Sequence, residues 1–175
     1  MSNELRVVND TSGPVVVRAN LENSVWYGSS LITFLASAEM TGGRYALQRM
    51  HLTKGFAPPA AHRHGPEDFY ILSGEIRFWA GKDEFVARAG DFVRTIPGGW
   101  HTLQAETDDA EALIIFSPAG MERFFQSLAR PAESLELPGG RVGPPDAELM
   151  RQIAPRFNLE FGPPGKTAAE MTDTE

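Results

Sequence analysis

The chain has 175 residues, 42% of them apolar and 22% charged, which is ordinary globular usage and sets aside wholesale disorder and a coiled coil. With 16 basic against 23 acidic side chains the net charge is −7, the wrong sign for a nucleic-acid-binding face. The lack of cysteine excludes disulfides, thiolate metal sites and cysteine nucleophiles.

The N-terminal stretch MSNELRVVNDTSG is polar and mixed in charge, with no basic region followed by an apolar one. No apolar run approaches the ~18 residues a membrane helix needs. The expectation is a soluble, cytoplasmic protein with no membrane or nucleic-acid partner.

From Pro14 to Pro118 the pattern is short strands broken by turn residues, in a chain with 17 glycines and 13 prolines. Leu31 to Ala36 is an apolar run of strand length, ended by the turn Met40-Thr41-Gly42-Gly43. Tyr45 to His51 alternates, with Tyr45, Leu47, Arg49 and His51 on one face and Ala46, Gln48 and Met50 on the other, so the two runs read as a hairpin. Phe69 to Leu72 meets Ser73-Gly74, and Glu75 to Trp79 leads into Ala80-Gly81-Lys82. Asp83 to Ala89 reaches Gly90, and Asp91 to Thr95 reaches Pro97-Gly98-Gly99. His101 to Gln104 and Ala112 to Ser117 close the series. Strands of this length, with no helices between them, predict an all-β sandwich or barrel.

After Pro118 the period changes. Met121, Phe124, Phe125 and Leu128 fall on one face of a helix that Pro131 ends, and read as residues packing under the barrel. Leu135 to Pro145 reads as a loop, and Asp146 to Ile153 as a second short helix behind Pro144-Pro145. The expected organisation is one domain over 1–175: a barrel core of about 45–118, a helical extension over 119–161 and a mobile tail over 162–175.

The chain has four histidines: His51, His62, His64 and His101. In extended chain, residues i and i+2 face the same way, so His62 and His64 direct both imidazoles at one point. Imidazole suits divalent transition metals, and a nearby carboxylate supplies an anionic ligand. Glu67 and Asp68 are the nearby carboxylates, and His101, carried by the Pro97-Gly98-Gly99 turn, is the remaining candidate. His51 reads as a solvent-facing or hydrogen-bonded strand residue, and Trp26, Phe69, Phe78 and Trp79 as core. No GxxxxGK[ST], no GxGxxG after a strand and no GxSxG is present.

These residues resemble the cupin superfamily. Its first motif is matched by Gly55, His62-Arg63-His64, Glu67 and Gly74, with six residues before His62 in place of five and two between His64 and Glu67 in place of three or four. Its second is matched by Gly90, Pro97-Gly98-Gly99 and His101, with the glycine-to-histidine distance kept and the proline moved by one. The resemblance implies a cupin double-stranded β-helix, or jelly-roll barrel, with short C-terminal helices. It also implies a divalent ion (Ni, Fe, Mn, Co, Cu or Zn) on His62, His64, Glu67 and His101. Asp68 satisfies the gap from His64 and Glu67 the gap to Gly74; Glu67 is preferred for its longer side chain and its parity with Phe69 and Ile71, and a three-histidine site is the alternative.

The segments NSVWYGSSLITFLASAEMTGGRYAL, SPAGMERFFQSLARPAE and RFNLEFGPP are similar to single-domain bacterial cupins of the quercetin 2,3-dioxygenase-like group. That likeness implies oxygenolytic ring cleavage of a flavonol, with dioxygen as co-substrate and Glu67 as catalytic base. It also implies a pocket touching Phe69, Ile71 and Leu103, and a homodimer built on strands such as Leu31 to Ala36. Two other functions share the site: a non-oxidative cyclase, isomerase or lyase on a polyketide-like compound, and a cupin that binds a small molecule without transforming it.

Overall fold

The computed structural model describes residues 13–172. In chain order its strands are β1 (Ser24–Tyr27), β2 (Ser30–Ala36), β3 (Ala46–Leu52), β4 (His62–Arg63), β5 (Glu67–Ser73), β6 (Glu75–Ala80), β7 (Asp83–Arg88), β8 (Phe92–Arg94), β9 (His101–Ala105), β10 (Ala110–Phe116), β11 (Arg130–Pro131) and β12 (Glu160–Phe161). The helices are α1 (Ala38–Thr41), α2 (Glu122–Leu128), α3 (Ala147–Ile153) and α4 (Ala168–Thr172).

The strands form two antiparallel sheets, a seven-stranded one in the order β11-β1-β2-β3-β10-β5-β8 and a five-stranded one in the order β12-β4-β9-β6-β7. In β3, Ala46, Gln48, Met50 and Leu52 are buried while Arg49 is exposed, the period-two alternation expected of a sheet with one face on the core. β10 pairs in register with β3 and β5, so that Gln48, Ile114 and Phe69 form one cross-strand row. Phe69, Ile71, Ile76, Phe78 and Phe116 of the two inner faces make up much of the core.

Turn chemistry joins the sheets. Gly74, between β5 and β6, has φ +67, and a Cβ there would lie 2.7 Å from the backbone of Ala110; only glycine meets both demands. Met40-Thr41-Gly42-Gly43, expected as a plain turn, begins inside a single helical turn, Ala38–Thr41. Ser37 caps its start and left-handed Gly42 its end. Buried Glu122 supports it from α2, accepting hydrogen bonds from the backbone N–H groups of Ala38 (3.1 Å) and Gly120 (2.6 Å).

The second helix starts as expected, with Asp146 accepting from the N–H groups of Glu148 and Leu149. The C-terminal segment departs from expectation. Rather than detaching after Gly162, the described residues return to the smaller sheet, where Ala168 is fully buried with Ala61 and Trp100, and Trp79 and Met171 pack against them. Residues 173–175 of the expected tail lie outside the described residues. Part of β2's outer side, expected as a dimer surface, is covered by the chain itself, Leu31 and Trp26 packing with Ala132, Leu137 and Val142. No described helix is long and apolar enough to cross a membrane.

Candidate metal centre

Three short strands place the histidines. His62 on β4 is the register partner of His101 on β9, and Phe161 on β12 is the partner of His62. Adjacent strands therefore set the two imidazoles side by side, with ring centroids 4.4 Å apart. His64 lies two residues beyond His62, its ring 5.1 Å from that of His101. The Pro97-Gly98-Gly99 turn is tied to this strand by Gly98 N–H donating to His64 O at 2.8 Å.

Glu67 arrives from the other sheet, at the start of β5. Its carbonyl accepts from Thr95 through both the hydroxyl (2.7 Å) and the backbone N–H (3.2 Å). Its carboxylate Oε2 lies 3.2 Å from His101 Nε2 and 3.3 Å from His64 Nε2. One ligand atom from each of His62, His64, Glu67 and His101 falls within 4.8 Å of the others, and Glu67, His64 and His101 are buried. Asp68, one residue on, turns to the opposite face, 3.8 Å from Arg94. His51 lies on the outer side of β3, opposite Glu111 and Leu31, and takes no part in the cluster.

The electrostatics follow from burial and proximity. Burial alone would raise the pKa of Glu67, but the charges and hydrogen bonds of His64 and His101 outweigh it and hold the carboxyl well below the usual carboxylate range. Burial, reinforced by the charges of His101 and His64, pushes His62 down to about 3. Burial also disfavours charge on His101, yet the hydrogen bond and charge of Glu67 prevail and raise it above the ordinary imidazole value. In the metal-free cluster burial thus disfavours charge on His62, while Glu67 and His101 each favour charge on the other.

The donor set fits a divalent transition ion. His101 Nδ1 faces Gly99 O at 3.0 Å and His62 Nδ1 faces Ala60 O at 3.3 Å. A ring that donates from Nδ1 to a carbonyl keeps its proton there and presents the Nε2 lone pair, the tautomer a metal ligand needs. Three neutral imidazoles and one carboxylate would leave a bound +2 ion only partly neutralised, the condition for Lewis acidity.

The cluster opens on a cavity of about 580 Å³, within the range of small-molecule sites. The barrel lines it with Met50, Leu52, Phe69, Ile76, Leu103 and Ile114. Of the residues expected at the pocket, Phe69 and Leu103 are there; Ile71 is not. Its inward parity buries it completely in the core, two residues beyond Phe69, without reaching the cavity. Met121, Phe124 and Phe125, expected simply as packing, are also walls of the cavity, since the stripe that packs α2 onto the barrel crosses its opening.

Sequence reasoning missed Tyr27, Met150, Leu159 and Phe161, which the fold brings to the cavity from segments without a motif. It also missed that Gln48 is fully buried with both amide atoms unpartnered among the described residues.

Residues 48–117 match the family model described as Cupin domain. Among solved structures, an RmlC-like cupin from Shewanella frigidimarina is 17% identical with a TM-score of 0.52, the match covering 61% of this chain and 93% of that one. A predicted oxalate decarboxylase from Thermotoga maritima is 28% identical over 51% of this chain and 80% of that one, with a TM-score of 0.47. KdgF from a Halomonas species is 14% identical over 54% and 85%, with a TM-score of 0.48. No curated protein matches the chain. The domain match and the shared architecture support the cupin superfamily, and the fold is the cupin double-stranded β-helix.

Proposed function

We propose that the protein is a metal-dependent dioxygenase that opens an oxygen-containing ring of a flavonol or a related enolisable aromatic compound. The observation that carries this reading is the cluster of His62, His64, Glu67 and His101, three of which line a mostly apolar cavity. His62, His64, Glu67 and His101 would hold the ion, which supplies a Lewis-acidic centre for an enol or phenol oxygen. The chain's own part is to bind, to exclude water and to move a proton. Phe69, Leu103 and Phe125 offer aromatic and aliphatic walls to a flat ligand, and the α2 cover limits water around it. Glu67 is held ionised by His64 and His101, so its Oε2 is ready to accept the proton of a 3-hydroxyl group and leave an electron-rich enolate for dioxygen. The reading includes action in the cytoplasm as a homodimer.

One observation favours a second reading. Glu67 Oε2 and His101 Nε2 lie 3.2 Å apart, a geometry that also suits a non-oxidative isomerase or lyase acting through the same enolate. Oxygen uptake by the metal-loaded protein across a flavonol panel separates the two. Uptake stoichiometric with substrate loss supports the dioxygenase, whereas turnover at the same rate under strict anaerobiosis replaces it with the second reading. Glu67→Gln should lower turnover by about 10²–10⁴-fold while metal content persists; an unchanged rate removes Glu67 as base.

A further inference from the structure

Beyond the metal cluster, the polar side chains lining the cavity are Tyr27 and, partly exposed at the rim, Ser29. Tyr27 ends β1 and is 7% exposed. Its ring stands edge-on to Phe125 with centroids 5.1 Å apart, which fixes its orientation. Phe125 lies 6.1 Å from Phe116, and Phe116 lies 6.3 Å from His64. Ring contacts thus connect the phenol to His64 through Phe125 and Phe116.

The Tyr27 hydroxyl makes no hydrogen bond within the protein among the described residues, and burial raises its pKa, so it stays O–H. A phenol enclosed in an apolar wall usually finds a partner, because an unmet hydroxyl is unfavourable there. A phenylalanine would fill the same space without that loss. The remaining partner is whatever enters the cavity.

We propose that Tyr27 is the distal specificity residue of the cavity. Its hydroxyl binds a hydroxyl or carbonyl group at the far end of an elongated aromatic ligand whose other end meets His62, His64, Glu67 and His101. The proposal rests on the cavity being the substrate site and narrows the substrate to compounds of two or more rings with a polar group at each end. A site built around such a hydrogen bond discriminates against analogues that lack the group, whereas a purely apolar wall favours them.

The test uses the full-length protein at fixed, measured metal content, with biphenyl and 4-hydroxybiphenyl as probes and calorimetric or fluorescence titration as readout. The wild type should bind 4-hydroxybiphenyl about tenfold more tightly than biphenyl, equivalent to about 1.4 kcal/mol. Tyr27→Phe should abolish that preference while its melting temperature stays level or rises. Three results would overturn the proposal: no preference in the wild type (including binding of neither probe), a preference that survives in Tyr27→Phe, or a clear fall in that variant's melting temperature, which would place the hydroxyl's partner inside the fold. Because no probe is a flavonol and no turnover is measured, failure of the dioxygenase reading would appear separately, as absent oxygen uptake.

Discussion

The two sheets carry the candidate site in different ways. The larger one has the longest strands: β3, β10 and β5 are seven residues each and pair side by side, with one register shift at Glu111/Ala112. It contributes Glu67 and much of the cavity wall. The smaller one contributes His62 from the two-residue β4 and His101 from the five-residue β9, with His64 just past the end of β4. Its ligand-bearing strands are held less by their own length than by what flanks them. The Pro97-Gly98-Gly99 turn holds one side, while β12 holds the other through Gly162 N–H donating to Ala61 O at 2.8 Å and the exposed Arg63–Glu160 pair. A carboxylate on a rigid strand and imidazoles on short, pinned ones meet where the sheets face each other. The lesson is that ligand identity and ligand placement have separate structural causes.

That contrast can be broken most severely at the small sheet. His101→Ala removes a ligand and the donor that faces Glu67, and should lower metal affinity by well over the roughly 10–100-fold typical of outer-shell changes, measured by competition with a chelator; retained affinity would show that the cluster is not the metal site. Next comes the turn that joins the sheets. Gly74→Ala should destabilise the protein by about 2–3 kcal/mol in chemical denaturation, because a side chain is strained at φ +67 and collides with Ala110.

Acid sharpens the comparison more gradually. In the metal-free protein His62 has a folded pKa of about 3 against 6.5 when unfolded, so the unfolded chain takes up the extra proton first as pH falls. Stability should therefore decline below about pH 6.5, with a slope of about 1.4 kcal/mol per pH unit for each proton involved. Glu67, whose folded pKa lies below the ordinary 4.5, steepens the decline from about that pH downward. His101, raised in the fold, contributes stability that is complete below 6.5 and is lost only as pH rises through its folded value. Denaturation midpoints that stay level between pH 6.5 and 4.5 would contradict a buried neutral His62. The smallest effect belongs to the large sheet's exposed surface. Arg49→Ala removes a pair with Glu111 at 2.6 Å and should cost about 0.5 kcal/mol or less; a loss of several kcal/mol would mean the outer face carries more of the fold than its exposure allows.

The succession of strands from Leu31 to Ser117 was legible because alternation and glycine-rich turns are local signals. His62, His64 and His101 stood out because there are only four histidines and two of them share strand parity. Parity also separated Glu67 from Asp68. Parity says only which face a side chain takes, however, which is why Ile71 read as a pocket residue and proved to be core. The placement of Tyr27, Leu159 and Phe161 was not legible, since each reaches the cavity through contacts between distant segments. The same holds for the 162–172 segment, whose polar composition gave no sign that Ala168 would be buried beside Trp100.

Composition, period and histidine spacing by themselves determined an all-β sandwich or barrel with His62 and His64 on one face, since these depend on short-range geometry along the chain. Only the tertiary structure decided what closes the cavity and which residues of distant segments line it. Those outcomes come from packing between strands and helices far apart in sequence, where no local pattern records the partner.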